Sequence, residues 1–202
     1  MKAVVIFESM YGNTRTVAAA VAEGIGADGD VQVTVLPVSA ASPELTRDAD
    51  LLVVGGPTHA HGMSRPPTRR AAHDAAAKPD SGLLLDPTAS GPGVRDWLTH
   101  LGHRAGLCAA FDTRLDGPVM FTGSAAAGIA RKLRRSGVTA ITTPESFLVT
   151  KKTELCAGET ARAREWGTQL SKLAIASVSG RVADAPTDLP LRVPGGTADT
   201  RR

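Results

Sequence analysis

Aromatic side chains are scarce in this chain, with four Phe, two Trp and one Tyr among 202 residues. Core and ligand site must therefore draw on the same few rings, and a flat ligand would find few to stack on. Cysteine is scarcer still. Cys108 and Cys156 lie far apart, which excludes a disulfide framework and a cysteine-based metal cluster and leaves two reduced thiols packed as small apolar residues. No segment approaches the ~18 uncharged apolar residues of a membrane span. The opening run Met1 to Phe7 meets Glu8 too soon to be a signal peptide, so a soluble, cytoplasmic protein without membrane association is expected. Charge of one sign is also lacking. Lys plus Arg minus Asp plus Glu is 23 − 20, or +3, which admits anionic ligands but is too diffuse for nucleic acid.

What is present is a hydrophobic content of 42%, enough for one core at the usual ~150 residues per domain. Lys2 to Phe7 (KAVVIF) is a nearly continuous apolar, β-branched run, as in a central strand covered on both faces. Thr14 can cap a helix in which Val17, Val21 and Ile25 recur at helical spacing until Gly24 and Gly26 end it. Val31 to Val38 and Asp50 to Gly55 read as strands, with a short helix capped at Ser42 between them. From His59 to Gly93 the composition predicts a loop with a helical turn or two around Thr68 to Ala77. Gly93 to Leu101 reads as helix and Ala105 to Phe111 as strand. Ser124 to Ser136 follows as a helix with Ile129, Ala130 and Leu133 inward. Val138 to Thr143 with Glu145 to Val149 make a last strand interrupted at Pro144, and Gly158 to Ser177 a closing helix burying Trp166, Leu170 and Leu173. Strand and helix alternate throughout, which predicts an α/β, doubly wound, open parallel sheet in one domain, residues 1–178. Residues 179–202, rich in Gly, Ala, Pro, Asp and Arg, are expected to be a disordered tail.

Some patterns are set aside. Gly24 to Gly29 (GIGADG) fits G-x-G-x-x-G but follows a helix and precedes a strand, the reverse of what pyrophosphate binding requires. His100 and His103 lack carboxylate or Cys neighbours, so no metal site is expected. Arg131, Lys132, Arg134 and Arg135 occupy the outer side of an amphipathic helix, and Lys151 and Lys152 read as loop charges.

The most informative stretch is Glu8 to Thr14, ESMYGNT. It leaves the first strand where, in a parallel α/β sheet, ligands bind beyond the carboxyl ends of the strands. A helix N-terminus there presents free N–H groups and a positive dipole end, and a phosphate is its natural occupant. Ser9 and Thr14 offer hydroxyls, Asn13 an amide, and Gly12 lets the backbone wrap closely. As an isolated turn it is equally a strand-to-helix junction capped by Ser9 or Thr14. Arg15 suits either a phosphate partner or a solvated helix residue.

Val5 to Val21 (VIFESMYGNTRTVAAAV) resembles the FMN-phosphate signature of the flavodoxin family: aliphatic pair, aromatic, Ser, two residues, Gly, one residue, Thr, then Ala18 and Val21. The resemblance continues through DLLVVGGPTH (Asp50 to His59), AAFDTR (Ala109 to Arg114), ESFLV and GETARAREWG, sparing an insertion at about residues 63–92. It implies a five-stranded sheet of order 2-1-3-4-5 with FMN at the switch point. Carried over position by position, it implies cofactor contacts from Ser9, Met10, Tyr11, Gly12, Asn13 and Thr14, from Pro57, Thr58 and His59, and from Phe111, Asp112 and Thr113. The Trp and Tyr that commonly sandwich the flavin ring in this family are missing. His59, His61 and Met63 on one side, Phe111 and Asp112 on the other, and Tyr11 in the loop are what remains, while Phe111 also suits a buried strand end and Tyr11 the surface.

The resemblance implies an FMN-dependent redox protein in which no side chain need be a catalyst. It would be an electron shuttle or an NAD(P)H-dependent reductase of a quinone-like acceptor. The family's shuttles are typically acidic, whereas removing four Arg and three Asp after Val178 leaves this domain at +2. That favours a reductase, or a shuttle with unusual partners. Expected partners are a redox protein or a small-molecule acceptor, and the insertion could cover the flavin or build a homo-oligomer contact. The alternative is a binding module that kept the fold and lost FMN.

Overall fold

The computed structural model describes residues 1–104 and 106–183. The apolar run at the N-terminus forms β1 (Lys2–Phe7), which pairs in parallel with β2 (Gln32–Pro37) on one side and β3 (Leu51–His59) on the other. Beyond β3 lies β5 (Leu107–Leu115), also parallel. The next position in the sheet is shared: β6 (Thr139–Ala140) pairs with the start of β5 and β7 (Glu145–Val149) with its end. This is the interruption expected at Pro144, and the order β2-β1-β3-β5-β6/β7 is 2-1-3-4-5 when sheet positions are counted. The order turns around between β1 and β3, so the crevice opens beyond Phe7 and Gly55.

Helices cover both faces because β1, β3 and β5 are apolar on both. On one side α1 (Asn13–Ile25) and α7 (Glu159–Ala183) bury Val17, Val21, Trp166 and Leu170 against Val5, Val53 and Phe111. On the other, α4 (Val94–His100) and α6 (Ala125–Arg135) bury Val94, Leu98, Ile129 and Leu133 against Ile6, Leu52 and Val54. The short α2 (Pro43–Arg47) is capped by Ser42, whose Oγ accepts from Leu45 N at 3.4 Å.

Several details differ from the sequence expectation. β3 runs on past Gly55 to His59 and folds back through a two-residue turn onto β4 (Gly62–Met63). The insertion holds a full helix, α3 (Pro66–Ala76), in place of a turn or two. Helix α7 continues to Ala183, so residues 179–183 are helical, and the remainder of the expected tail lies outside the described residues. Leu173, expected inside, is 45% exposed because it lies on the outer side of the helix, whose next residue Ala174 is buried in the core.

Gly24 does not end α1 either. A Cβ at Gly24 would lie 1.9 Å from Arg164 O, and one at Gly167 only 2.2 Å from Val21 O. The two helices cross with their backbones in contact, which glycine alone permits. Replacing Gly167 by Ala is expected to cost on the order of 1–3 kcal/mol by overpacking against a main chain that cannot yield. Urea unfolding of G167A beside a Gly62→Ala control, where a Cβ would meet open space, checks this: a Gly167 loss no larger than the control's would show the contact to be loose.

Candidate functional site

Phe7 ends β1, and the chain turns through Glu8–Gly12 into α1. Ser9 is buried and its Oγ accepts from Gly12 N at 3.1 Å, curling the loop back on itself. Gly12 sits at φ +89°, a left-handed conformation suited to glycine, with open space where a Cβ would be. Thr14 does not cap the helix as its sequence position suggested. It is a residue of the first turn, buried, and its hydroxyl is 2.7 Å from that of Thr113 on β5. The N-terminus of α1 has no side-chain cap, so its first-turn amides are left for another partner.

Two buried carboxylates brace this loop from the side of the insertion. Glu8 accepts from Ser64 Oγ and, at 2.8 Å, from Val94 N. Asp86 takes a bidentate pair from Arg15, at 2.6 and 2.8 Å, and further bonds from Thr88 N at 2.8 Å and Thr88 Oγ1 at 2.6 Å. Burial pushes the Asp86 carboxyl up, but the Arg15 and Thr88 donors outweigh it and hold the group well below the usual carboxylate range. Arg15 thus turns its guanidinium to Asp86, with its side chain still 41% exposed. Asp86 N also donates to Met10 O at 2.8 Å and the Tyr11 hydroxyl to Ala72 O at 2.9 Å. The insertion therefore packs against the outside of the loop, fixing its curvature, and Met10 is buried between Ala72 and Ala89.

The inner side of the loop opens on a cavity of about 280 Å³ at the carboxyl ends of β1, β3, β5 and β7. Met10, Tyr11, Asn13 and Thr14 form one wall, Pro57, Thr58 and His59 a second, and Thr113, Arg114 and Leu115 a third. The fourth is the turn after β7, Thr150 to Thr153. Asn13 Nδ2 donates to Thr153 O at 2.8 Å, and Thr153 stands at φ +64°, a strained setting for a β-branched residue. The β3–β4 turn is strained too, since its central residues Ala60 and His61 have φ of +45° and +70° where Asn-Gly is the usual pair. Burial pulls the His59 imidazole below its ordinary pKa, with the nearby Glu8 charge partly opposing, which favours a neutral ring at pH 7.

Of the residues singled out from sequence, Met10, Tyr11, Asn13, Thr14, Pro57, Thr58, His59 and Thr113 meet around this cavity, and Ser9 and Gly12 shape the loop beside it. Phe111 and Asp112 do not line it. Phe111 is fully buried, edge-on to Phe147 at 6.1 Å and Trp166 at 6.2 Å. It shares a strand face with Thr113 but lies two residues, ~7 Å, deeper. Asp112 points to the opposite face, where its Oδ2 accepts from Thr58 Oγ1 at 3.0 Å, Ser124 Oγ at 2.8 Å and Ala126 N at 2.8 Å, an anion at the N-terminus of α6. His61 and Met63 also lie off the cavity walls, Met63 being buried against Gly128. Sequence reasoning missed Glu8 and Asp86 as braces and the Thr150–Thr153 turn as a wall. Only the position of that turn, directly after a strand's carboxyl end, signalled it.

The fold is that of a doubly wound α/β protein with a cavity at the carboxyl ends of its strands, and comparison with known proteins narrows it. Residues 5–82 match the family model described as Flavodoxin. No curated protein matches the chain significantly. Among solved structures, a flavodoxin from the domain Archaea is similar at a TM-score of 0.59 and 19% identity, covering 87% of this chain and 99% of that one. Flavodoxin 1 from Bacillus cereus gives 0.58 and 16%, with 85% and 98% covered. The rubredoxin oxygen:oxidoreductase of Desulfovibrio gigas gives 0.57 and 18%, with 88% of this chain but 37% of that one covered. The chain thus has a flavodoxin-like fold over most of its length, and residues 5–82 match that family's sequence model.

Removing the Asp86 brace by Asp86→Ala is expected to cost about 1–3 kcal/mol of stability, the loss of a buried, multiply bonded acceptor. Because its carboxyl titrates lower folded than unfolded, the stability it contributes is complete above the unfolded carboxylate range, near pH 4, and is lost as pH falls further. Denaturant unfolding of wild type and D86A from pH 7 downward should show the gap between them narrowing below about pH 4. A gap that stays constant would mean that charge plays no part.

Proposed function

We propose that this protein is an FMN-dependent redox protein of flavodoxin type. One observation carries the reading: the uncapped N-terminus of α1, with Gly12 at φ +89° and open space over it, faces the cavity that the three strand ends enclose. The donor set suits a phosphate monoester. First-turn amides, the Thr14 and Thr113 hydroxyls and the Asn13 amide surround it, with no carboxylate among the cavity walls. Ser9 keeps the loop curled and Thr14 places its hydroxyl, while the opposite end of the cavity, between Pro57–His59 and Thr113–Leu115, would take the ring.

Bound there, the flavin supplies one- or two-electron chemistry, and the protein supplies position and electrostatics. Thr58 and Thr113 are held rigidly for this purpose. Thr58 Oγ1 donates to Asp112 and accepts from Ala125 N at 2.8 Å, so the wall it forms is fixed to the start of α6. A neutral His59 adds no positive charge at the ring end. With a near-neutral domain in place of an acidic docking face, we read the protein as a reductase that oxidises NAD(P)H and reduces a quinone-like acceptor, ahead of a protein-to-protein shuttle. The second reading, a module that has lost FMN, draws support from the cavity's lack of any Trp and from Tyr11 being tied to Ala72.

The purified protein is expected to be yellow and to release one equivalent of FMN. Thr14→Ala is expected to weaken FMN binding about tenfold, the loss of one charge-assisted hydrogen bond. A colourless protein that ignores added FMN would establish the second reading. Oxidation of NADPH or NADH with a quinone checks the reductase assignment, and a flavin that neither nicotinamide reduces would leave the shuttle.

A further inference from the structure

The phosphate of FMN carries close to two negative charges at neutral pH. The loop that would hold it has none to offset them: amides, hydroxyls and one carboxamide are all neutral, and the end of a helix amounts to about half a positive charge. The cations nearby are mostly committed. Arg15 is clamped by Asp86 at 2.6 Å. Arg114 also makes no ion pair among the described residues, but its Nη1 is held by Gly117 O at 2.7 Å and Thr122 Oγ1 at 3.1 Å, on the β5 wall that borders the ring end of the cavity.

Lys151 is different. It lines the cavity on the turn that also receives the Asn13 amide, so it stands at the loop's end of the site. Among the described residues it makes no ion pair. The strained Thr153 two residues on keeps this turn folded over Asn13. Its neighbour Lys152 does not line this cavity; it lines only an adjoining one, which Lys151 borders too, with Ser81, Leu83 and Glu154.

We propose that Lys151 supplies the countercharge for the flavin's phosphate and so makes the site select FMN over riboflavin. The proposal rests on the FMN reading and adds a residue and a specificity to it. A point charge on a flexible stem at an exposed cavity mouth suits this role, because it reaches the anion without a desolvation cost when the site is free.

The test uses the full chain freed of flavin and titrated with FMN or riboflavin, following quenching of flavin fluorescence. Lys151→Met is expected to weaken FMN at least about tenfold and riboflavin less than about twofold, because a countercharge acts on the phosphate alone. Lys151→Arg should keep the wild-type ratio of the two affinities, and K152M should behave as wild type. The fall in FMN affinity from low salt to ~0.3 M should flatten in K151M. An unchanged FMN-to-riboflavin ratio in K151M, equal losses for both flavins, or an equal effect of K152M would overturn the proposal. Wild-type protein that binds neither flavin would overturn the FMN reading itself, and this assignment with it.

Discussion

The site depends on a bidentate ion pair. Arg15 leaves the first turn of α1 and Asp86 meets it from the far end of the insertion, with Thr88 completing the carboxylate's partners. A loop of Ser, Gly and Asn is soft when left alone, and amides aimed at an anion are useful only if they stay aimed. Here the curvature is fixed from outside: Glu8 holds Ser64 at the start of the insertion and Val94 just past its end, Asp86 holds Arg15, and Met10 packs against Ala72 and Ala89. Both carboxylates are buried, so each is held by donors that would otherwise be unsatisfied in the interior.

This arrangement separates support from binding. Acidic groups lie on the outer side of the loop, where they hold it, and the inner side presents neutral donors. An anion entering the cavity meets no carboxylate on its walls, while the negative charges that brace the loop are already matched by Arg15 or by hydrogen bonds. The same logic appears at Asp112, whose carboxylate is spent on the N-terminus of α6 and on Thr58. Two helix N-termini thus stand close together at the sheet's carboxyl edge. One is filled by the protein's own carboxylate and the other carries no side-chain cap.

Much of the fold was legible in the sequence because its signals are local. The β-branched runs, the Gly and Pro breaks and the Ser caps at Ser42 and Ser124 mark element ends directly. The turn between β1 and α1 was legible because Gly12 and its polar neighbours mark a strand-to-helix junction. What could not be read depends on contacts between distant residues. Nothing near Phe111 says that its ring ends between Phe147 and Trp166, and a one-residue change of strand face separates Asp112 from the cavity. Gly24 looked like a helix stop because glycine is the same letter whether it serves a turn or a close approach. The insertion was opaque for the same reason: its Pro, Gly and Ala give no periodic signal, and its order comes from Arg15, Met10 and Tyr11, which lie far upstream.

The contact of Gly24 with α7 has a consequence for how the molecule comes into being. Helix α1, at the crevice, is seated by a segment far downstream in the chain. A nascent chain leaving the ribosome holds β1, the loop and α1 long before the partner that fixes their depth has emerged. Until residues 159–170 arrive, Val17 and Val21 lack their cover from Trp166 and Leu170, so the seating of α1 is completed late rather than in an early nucleus of folding.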